Sequence, residues 1–509
     1  MVADLVIGAG PSGVSAASAL LARGRQVTLL DVGQVLEPAR VGARDLLANR
    51  PPEGWTATDR AHWQQPQFDA PEGRVRRYGS DFAIEAAEAT FADGAPGFAL
   101  RASQALGGLS NLWGAALLPY RGTDMAGWPI TEADLAPHYQ AVAAFLPISG
   151  HVDALQALFP VLPMAGHTAL PPGQQGEMVL ARYQQLGSGD HGVVLGLARQ
   201  AVAAGCRLCG QCLQGCPWGL IWQAGQRLAN LRQTPGFTYR PAAPVRHIAE
   251  EPDCVVLTLA DGSKVTGARV FLGAGVLESA RILLASGVAG DSLTLLDSAH
   301  GFLPALQRRG PSAGPDDSPR HTLTQLFLEL DDPAISPFLI HAQIYGWNEF
   351  YARDLITRYG RRLPFSAPLC RMLARRLMVA QIFLHSDHSA RAHLRLAPDG
   401  RLTVTVAQNP DLPSRFAASA RRIGQSLSRG GLLPLTFAAR LNPPGSSFHA
   451  GGTVPMAIDP VAGQSDRLGR PAGRTRLHLI DASILPAIPA TTITLPVMAN
   501  AHRIGTLAP

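Results

Sequence analysis

Residues 3–33, ADLVIGAGPSGVSAASALLARGRQVTLLDVG, decide the fold, because they read as strand, glycine turn, helix and strand. Gly8, Gly10 and Gly13 follow the first strand in G-x-G-x-x-G spacing. Such glycines permit a tight turn, let backbone approach a pyrophosphate, and let helix and strand pack closely. Asp31 ends the second strand, 21 residues after Gly10, where a carboxylate can bind an adenosine ribose. The segment therefore predicts an α/β unit that binds a dinucleotide, either FAD or NAD.

A second α/β block resumes this unit after an insertion. Residues 268–275, ARVFLGAG, read as a third strand, and residues 277–286, LESARILLAS, read as the helix that follows it. An apolar strand-length run before a helix of amphipathic period is typical of a parallel sheet covered by helices. We therefore expect a nucleotide-binding domain that is discontinuous in sequence.

The composition is that of an ordinary globular protein. The chain has 509 residues, a net charge of +6, and 46% hydrophobic against 16% charged residues, which predicts two to four domains. The arginines are dispersed, and Lys264 is the one lysine, so a nucleic-acid partner is not expected. A long charge-free run between Asp481 and Arg503 holds three prolines and makes a poor membrane span. With no charged leader before the first strand, we expect a cytoplasmic location.

Four of the six cysteines fall in one segment, CRLCGQCLQGCPWG, at residues 206–219. Their spacing, C-x2-C-x2-C-x3-C-P, is the one that bacterial ferredoxins use to hold an iron–sulfur cluster. Zinc is a competing ligand, although structural zinc sites usually separate their cysteine pairs. A vestigial site without metal is a third interpretation. The four candidate metal ligands are Cys206, Cys209, Cys212 and Cys216.

Residues 291–440 predict a second domain with an antiparallel sheet. They contain several strand-length segments, and Pro398–Gly400 reads as a hairpin turn. Two strands carry polar side chains at alternate positions, which share one face of a strand. This face would either bind a hydroxylated substrate or face solvent. The candidates are His341, Gln343, Tyr345, Gln381 and His385.

The C-terminal segments SSFHAGGTVPMAIDP (446–460) and DASILP (481–486) complete a pattern that resembles a known family. Together with residues 3–33 and LGGLSNLWG (106–114), they resemble the glucose–methanol–choline family of FAD-dependent oxidoreductases over nearly the whole chain. In that family a histidine before a GT-x-x-M segment faces the flavin, and His449 occupies this place. The resemblance implies that His449 takes the hydroxyl proton of an alcohol while hydride passes to flavin N5. An imidazole suits this task because its unperturbed pKa lies near 6.5.

The resemblance also implies the fold class and the cofactor site. The fold class is α/β, with a Rossmann-like FAD-binding domain, discontinuous in sequence, and an α+β substrate domain with an antiparallel sheet. The glycine turn and Asp31 would hold the ADP half of FAD, the loop at 107–111 would lie along the flavin, and Asp481 would approach the pyrophosphate. The predicted cofactor-binding residues are Gly8, Gly10, Ser12, Gly13, Asp31, Gly107, Gly108, Ser110, Asn111, Val245, Asp481 and Ala482.

One position departs from the family pattern. The family usually places a second His or Asn about 43 residues after the first histidine, and this sequence has Thr492 there. A threonine hydroxyl can hold a substrate oxygen but does not share a proton as imidazole does. Either His449 works with Thr492 as an orienting group, or the reaction is not a standard alcohol oxidation, but an epimerisation or a keto-group reduction.

The cysteine segment points to a subgroup of the family. Some members with a cysteine-rich insertion bind an iron–sulfur cluster and pass flavin electrons outward, so the resemblance implies a dehydrogenase with a four-iron or a three-iron cluster. Its substrate would be a polar alcohol or a sugar-like molecule, and its acceptor an electron-carrier protein or a quinone. A flavo-iron–sulfur electron-transfer subunit without its own substrate is the non-catalytic alternative.

An Arg-rich segment, residues 350–377, has helical spacing of basic and apolar residues. Such a helix can touch an anionic membrane peripherally, but a solvated helix face or a docking patch for an acidic electron carrier is the favoured interpretation. The predicted domain boundaries give the FAD-binding domain residues 1–135, 221–290 and 441–509, the last with the catalytic segment. The remaining divisions are a cap segment at 136–200, the cysteine segment at 201–220, and the substrate domain at 291–440.

Overall fold

The computed structural model of the chain describes residues 2–64, 77–185, 187, 190–309, 320–348 and 366–509. The strands are β1 Asp4–Ile7, β2 Val27–Leu30, β3 Val193–Leu197, β4 Phe237–Arg240, β5 Val245–Glu250, β6 Val255–Leu259, β7 Lys264–Gly267, β8 Val270–Leu272, β9 Leu293–Asp297, β10 His300–Gln307, β11 Leu326–Leu330, β12 Ile340–Tyr345, β13 Leu377–Phe383, β14 Arg391–Leu396, β15 Leu402–Ala407, β16 Leu432–Pro434, β17 Arg440–Leu441, β18 Ala450–Gly451 and β19 Leu477–Leu479. The helices are α1 Pro11–Ala22, α2 Pro38–Ala48, α3 Ala57–Gln64, α4 Ala87–Thr90, α5 Glu132–Ala143, α6 Leu155–Leu158, α7 Gln174–Gln185, α8 Ala224–Leu231, α9 Val276–Ala285, α10 Ser366–Ala374, α11 Leu412–Arg429 and α12 Thr494–Leu507.

A five-stranded parallel sheet draws on widely separated parts of the chain. Its order is β19-β8-β1-β2-β4, with every neighbouring pair parallel. The side chains of β1 are buried along its whole length, as expected of a strand covered on both faces. Helix α1 packs against α12, so the two ends of the described chain meet at this sheet. The parallel sheet predicted from discontinuous segments is confirmed.

A seven-stranded antiparallel sheet forms the second layer. The strands follow the order β16-β10-β13-β12-β11-β3, and β17 also pairs with β10. Helix α11 packs over β10 and β16, and its apolar side chains, such as Phe416 and Ile423, join Leu303 and Ile382 in one core. The opposite face of the sheet carries the other alternate residues, among them Phe327, which packs with Leu118 and Phe159 in a separate core.

The predicted hairpin around Pro398–Gly400 is present as β14 and β15, but it does not belong to the seven-stranded sheet. Strand β14 pairs instead with β9, and β9 with β18, to make a separate four-stranded sheet. The single sheet predicted for residues 291–440 is wrong in this respect. A turn sequence specifies the local pairing of a hairpin, whereas the neighbour of its outer strand depends on tertiary packing.

The polar residues predicted on β12 and β13 do share one face. His341 pairs with Phe383, and Gln343 pairs with Gln381, and directly opposed residues of an antiparallel pair point to the same side. His341 is fully buried and Gln343 is 5% exposed. The solvent-facing alternative is therefore wrong for these two side chains.

Among the described residues, no helix is both long enough and apolar enough to cross a membrane. Most of the Arg-rich segment, including Arg353, Arg358, Arg361 and Arg362, lies outside the described residues. Its described part is α10 and the two residues that follow, Arg375 and Arg376. The domain boundaries and the peripheral membrane contact stay predictions.

Candidate functional site

In the glycine turn between β1 and α1, protein atoms fill the space beside two of the glycines, whereas the space beside the third is empty. A Cβ atom on Gly8 would collide with the carbonyl of Gly273, and one on Gly13 would collide with the carbonyl of Gly8. At Gly10 a Cβ atom would meet nothing within 4 Å. Helix α1 begins directly afterwards, at Pro11, and unpaired N–H groups at a helix N-terminus attract phosphate. The residues therefore fit a pyrophosphate over Gly10.

Asp31 lies at the end of β2 with one carboxylate oxygen buried and without a hydrogen-bond partner. Burial raises its pKa to about 7, although the backbone N–H groups of Ala9, Val32 and Gly33 partly offset the effect. A buried, unpaired oxygen costs free energy, and ribose hydroxyls would satisfy it. The structure thus fits the ribose-binding role predicted for Asp31.

The loop at residues 107–111 lies against the glycine turn. A Cβ atom on Gly108 would touch the Cα atom of Gly10 at 3.6 Å. Ser110 donates through Oγ to the carbonyl of Gly107 at 2.6 Å, and accepts from the N–H of Ala224 at 3.0 Å. Asn111 donates to the carbonyl of Gly108 at 2.8 Å. These bonds fix the loop where the resemblance expects the flavin, at the edge of the dinucleotide cradle.

Asp481 follows β19, and both of its carboxylate oxygens accept hydrogen bonds from neighbouring residues. One carboxylate oxygen accepts from Ser279 Oγ at 2.6 Å and from the N–H of Gly275 at 3.0 Å. The other oxygen accepts from the N–H of Ser483 at 2.9 Å. Asp481 therefore fixes the start of α9 against the C-terminal segment. Two further predicted residues flank this region: Val245 begins β5 and Ala482 accepts a hydrogen bond from Gly452.

His449 lies at the junction of the two layers. Strand β18 follows it directly and is tied to the nucleotide-binding layer, because the N–H of Gly452 donates to the carbonyl of Ala482 at 2.9 Å. The ring of His449 stacks on Phe383 of the seven-stranded sheet, with 5.0 Å between centroids and 16° between planes. His449 thus lies between the C-terminal segment and the seven-stranded sheet, and its role toward a substrate stays a prediction.

The surroundings of His449 keep its imidazole neutral. Burial, together with the smaller effect of the neighbouring rings of His300 and His341, lowers the pKa of His449 to about 3. The Nδ1 atom is buried without a hydrogen-bond partner. Its backbone is held, since the N–H donates to Ser447 Oγ at 3.0 Å and the carbonyl accepts from Ser298. The imidazole is therefore neutral at physiological pH, and in the cofactor-free protein it is a weaker base than a free histidine.

Sequence reasoning missed Glu329, which contacts His341 inside the sheet. The Glu329 carboxylate lies 2.7 Å from His341 Nδ1, and neither side chain has any exposed area. The two residues are directly opposed on β11 and β12. A single acidic residue within the apolar strand LFLEL was the available signal, because a charge in a buried strand requires a partner.

The remaining predicted substrate residues divide into two groups. Tyr345 donates through its hydroxyl to Gln343 Oε1 at 2.7 Å, and Gln381 lies opposite Gln343 on β13, so these three continue the face that carries His341. His385 lies beyond the end of β13, where its ring stacks on Phe338 at 3.7 Å. The structure places His385 apart from the others.

Thr492 is bonded to the backbone of a distant loop. Its Oγ1 accepts from the N–H of Leu118 at 2.7 Å, and it lies within 3.4 Å of the Leu118 carbonyl. Thr492 is 3% exposed. Its hydroxyl therefore has a structural partner, and its role toward a substrate stays a prediction.

The four clustered cysteines line a single cavity of about 370 Å³ of atom-free space, part of it open to solvent. All four are free thiols. Burial raises the pKa of Cys206 and Cys209, and raises that of Cys212 to about 11. Within the described residues, no three or more His, Cys, Asp or Glu side chains are arranged to hold a metal ion. The cavity brings the predicted ligands together without forming a single-ion site.

Two tryptophans connect this cavity to the loop at 107–111. Trp222 follows Ile221, which lines the cavity, and it meets Trp113 edge to face with 6.0 Å between centroids. The Trp113 indole N–H also donates to the carbonyl of Trp222 at 2.9 Å. Buried Arg77 donates to the carbonyl of Trp113 at 2.8 Å. The cavity is therefore a neighbour of the candidate flavin loop.

Comparison with known proteins shows the fold. No family model matches the chain, and no curated protein sequence matches it. Among solved structures, the chain is similar to pyridoxine 4-oxidase from Mesorbium loti, with a TM-score of 0.62 and 16% sequence identity over 99% of this chain and 98% of that one. The predicted mixed α/β fold, with a parallel sheet and antiparallel sheets, is confirmed by this likeness.

Proposed function

We propose that the chain is an FAD-dependent oxidoreductase that converts the CH–OH group of a polar alcohol to a carbonyl. The proposal is carried by the position of His449, a neutral imidazole between the dinucleotide cradle and the buried polar face of the seven-stranded sheet. The cradle supports FAD through the open space at Gly10 and the unpaired oxygen of Asp31. The similar solved structure is named as an oxidase of pyridoxine, which is itself an alcohol.

The residues divide the chemistry between them. FAD, when bound, supplies the acceptor for the hydride that leaves the alcohol carbon. His449 accepts the hydroxyl proton, so that the carbonyl product forms with atoms and electrons balanced. The amides of Gln343 and Gln381, opposed on β12 and β13, would hold further hydroxyl groups of the substrate. The buried sheet face excludes water from the reacting atoms, and this strengthens each polar contact.

We further propose that Cys206, Cys209, Cys212 and Cys216 hold an iron–sulfur cluster. Their convergence on one cavity supports this. Four thiolates at about 2.3 Å from one zinc ion would lie close to one another, whereas a cluster spreads its ligands around several irons.

A cluster here would give electrons a route away from the flavin. The contact between Trp113 and Trp222 places the cavity beside the loop at 107–111. Arg77 lies near both Cys212 and Cys216, and a buried guanidinium would offset the negative charge of four thiolates. This arrangement favours a dehydrogenase that passes electrons to a carrier protein or a quinone over an oxidase that passes them to oxygen.

An anaerobic reduction experiment tests the redox proposal. Purified holoprotein is mixed with a panel of alcohols, including polyols, sugars and pyridoxine, and the flavin absorbance is followed. Bleaching by at least one alcohol, lost in His449→Gln, is the expected result. Reduction by none of the alcohols, with bleaching by a protein or nicotinamide donor alone, contradicts the proposal and favours an electron-transfer subunit. Turnover of a carbonyl or an epimer without net flavin reduction would instead identify a reductase or an epimerase.

A further inference from the structure

We propose that His341 is the second proton-accepting group of the active site and that Glu329 is the residue that positions it. This inference rests on the proposed alcohol oxidation and deepens it. The partner of His449 would come from the substrate sheet, not from position 492, where the sequence has a threonine with a backbone partner.

The contact with Glu329 defines which ring nitrogen of His341 is available. In the proposed arrangement His341 Nδ1 donates to the Glu329 carboxylate across the 2.7 Å contact. The other ring nitrogen, Nε2, then carries a lone pair, and it is buried without a partner. A buried unpaired acceptor on a fully buried ring is expensive to maintain, and a substrate hydroxyl would satisfy it.

Two arginine side chains lie near Glu329. Arg121 and Arg199 are both close enough to interact electrostatically with Glu329, and Arg199 is fully buried. Each arginine also faces an aspartate: Arg121 contacts Asp124, and Arg199 lies 3.9 Å from Asp153. Glu329 therefore lies in a region of buried and half-buried charges, where His341 is its direct hydrogen-bond partner.

His341 and His449 flank the same phenyl ring. Phe383 lies 5.8 Å from the His341 ring and 5.0 Å from the His449 ring, measured between centroids. The two imidazoles are near enough that His341 lowers the pKa of His449. His300 also stacks on Phe383, but its Nε2 is bonded to Asn442 at 2.7 Å. His341 and His449 are thus the pair with unpaired ring nitrogens at this ring.

The charge balance of the reaction explains why a second imidazole is useful. When hydride leaves the carbon, the hydroxyl proton must go to a base, which then becomes positive. In the described part of the chain, the groups that shift the pKa of His449 electrostatically are the imidazoles of His300 and His341, and these disfavour a positive charge. On His341 the same charge would face Glu329. The pair therefore shares the hydroxyl proton, with Glu329 stabilising it on His341.

Three variants of the holoenzyme test this assignment. His341→Gln removes the base, Glu329→Gln keeps the volume and the hydrogen-bond acceptor but removes the charge, and His138→Gln alters a buried histidine that pairs with His502 instead. We expect kcat/KM for the alcohol to fall about a hundredfold in His341→Gln, and to stay unchanged in His138→Gln. In Glu329→Gln the acidic limb of the kcat/KM profile should move to lower pH, because His341 loses its stabilising charge.

Two measurements are independent of turnover. Histidine ¹⁵N spectra of the wild type should show His341 protonated at Nδ1 and unprotonated at Nε2, with the Nδ1 proton shifted upfield when Glu329 is replaced by Gln. Flavin reduction by dithionite should be equal in all variants, which shows that the cofactor site is intact. His341 protonated at Nε2 in the wild type would overturn the proposal even if a variant failed to fold.

The outcomes separate this inference from the proposed function. If alcohols reduce the wild type and both the rate in His341→Gln and the acidic limb in Glu329→Gln are unchanged, the assignment of His341 is wrong and the alcohol oxidation stands. If Glu329→Gln lowers kcat/KM for the alcohol without shifting the acidic limb of its pH profile, the role of Glu329 is structural. If no alcohol reduces the wild type, the proposed function fails and this inference fails with it.

Discussion

The hydroxyl of Thr492 accepts a hydrogen bond from the backbone N–H of Leu118 at 2.7 Å, across 374 positions of sequence. Thr492→Val should therefore leave a buried N–H group without a partner and lower the free energy of unfolding by about 1–3 kcal/mol. Thr492→Ser keeps the hydroxyl, so its free energy of unfolding should fall by less. Urea unfolding of the two variants measures the difference.

The same pair of variants tests the predicted contact between Thr492 and substrate. If the hydroxyl also orients the substrate, Thr492→Val raises KM for the alcohol and Thr492→Ser does not. Equal KM values in the wild type and in Thr492→Val, with stability reduced, would leave Thr492 with its structural role alone.

Gly10 and Gly13 differ in what surrounds them, so the same substitution should have different effects. A Cβ atom at Gly10 meets no protein atom within 4 Å. Gly10→Ala should therefore keep the stability of the cofactor-free protein within about 1 kcal/mol and lose FAD, because the methyl group fills the space for pyrophosphate. FAD content and thermal unfolding check this; retention of FAD would argue against the predicted pyrophosphate position.

Gly13→Ala should instead damage the fold. Its Cβ atom would collide with the carbonyl of Gly8, which is backbone and cannot move away cheaply. We expect the free energy of unfolding of the cofactor-free protein to fall by more than about 3 kcal/mol. Urea unfolding measures this change. Gly42→Ala, in a position with open space, is the matched control on α2.

Asp31→Asn should stabilise the cofactor-free protein and weaken its binding of FAD. Burial raises the pKa of Asp31 from 3.8 to about 7, so between these values the folded state holds a proton that the unfolded state releases. Wild-type stability therefore falls as pH rises from 4 to 7, by at most about 1.4 kcal/mol per pH unit from this group. The advantage of Asp31→Asn should grow over the same interval and level off above it.

Urea unfolding of both cofactor-free proteins at pH 5 and pH 8 measures this difference, in which the other titrating groups cancel. Titration with FAD should then show tighter binding by the wild type, because its carboxylate can accept from ribose hydroxyls. Parallel pH curves for the two proteins would mean that Asp31 ionises normally in the fold.

Cys212→Ser should remove the cluster from anaerobically purified protein. Cys212 lines the cavity with the other three cysteines, and an alcohol oxygen is a poor ligand for iron held by thiolates. Iron and acid-labile sulfide are the measurements, and the wild type should contain three or four irons per chain. Cys254 lies outside the cavity, so Cys254→Ser should retain the iron and the acid-labile sulfide. Stoichiometric zinc in the wild type, or no metal, would exclude the cluster.

The sequence predicted best those features whose geometry is local. The glycine turn and Asp31 lie within one strand–helix–strand unit, so their spacing determines their relative positions. Alternation likewise predicted that His341 and Gln343 share a face, because the period of a strand is fixed.

Features set by non-local pairing were beyond a sequence-based prediction. The contact of Glu329 with His341 depends on the register of β11 against β12, and that of Thr492 with Leu118 joins distant segments. Likewise, the partner of β14 could not be read from its hairpin turn. Each depends on how apolar faces pack in three dimensions, which a linear pattern does not specify.

The order β19-β8-β1-β2-β4 has a consequence for biosynthesis. Strand β1 emerges early from the ribosome, whereas β19 and α12 emerge hundreds of residues later, after roughly 20–90 s at ordinary rates of translation. During that interval the apolar surfaces of β1 and α1 lack their final neighbours. The complete five-stranded sheet, with α1 covered by α12, can therefore form only after translation has passed α12.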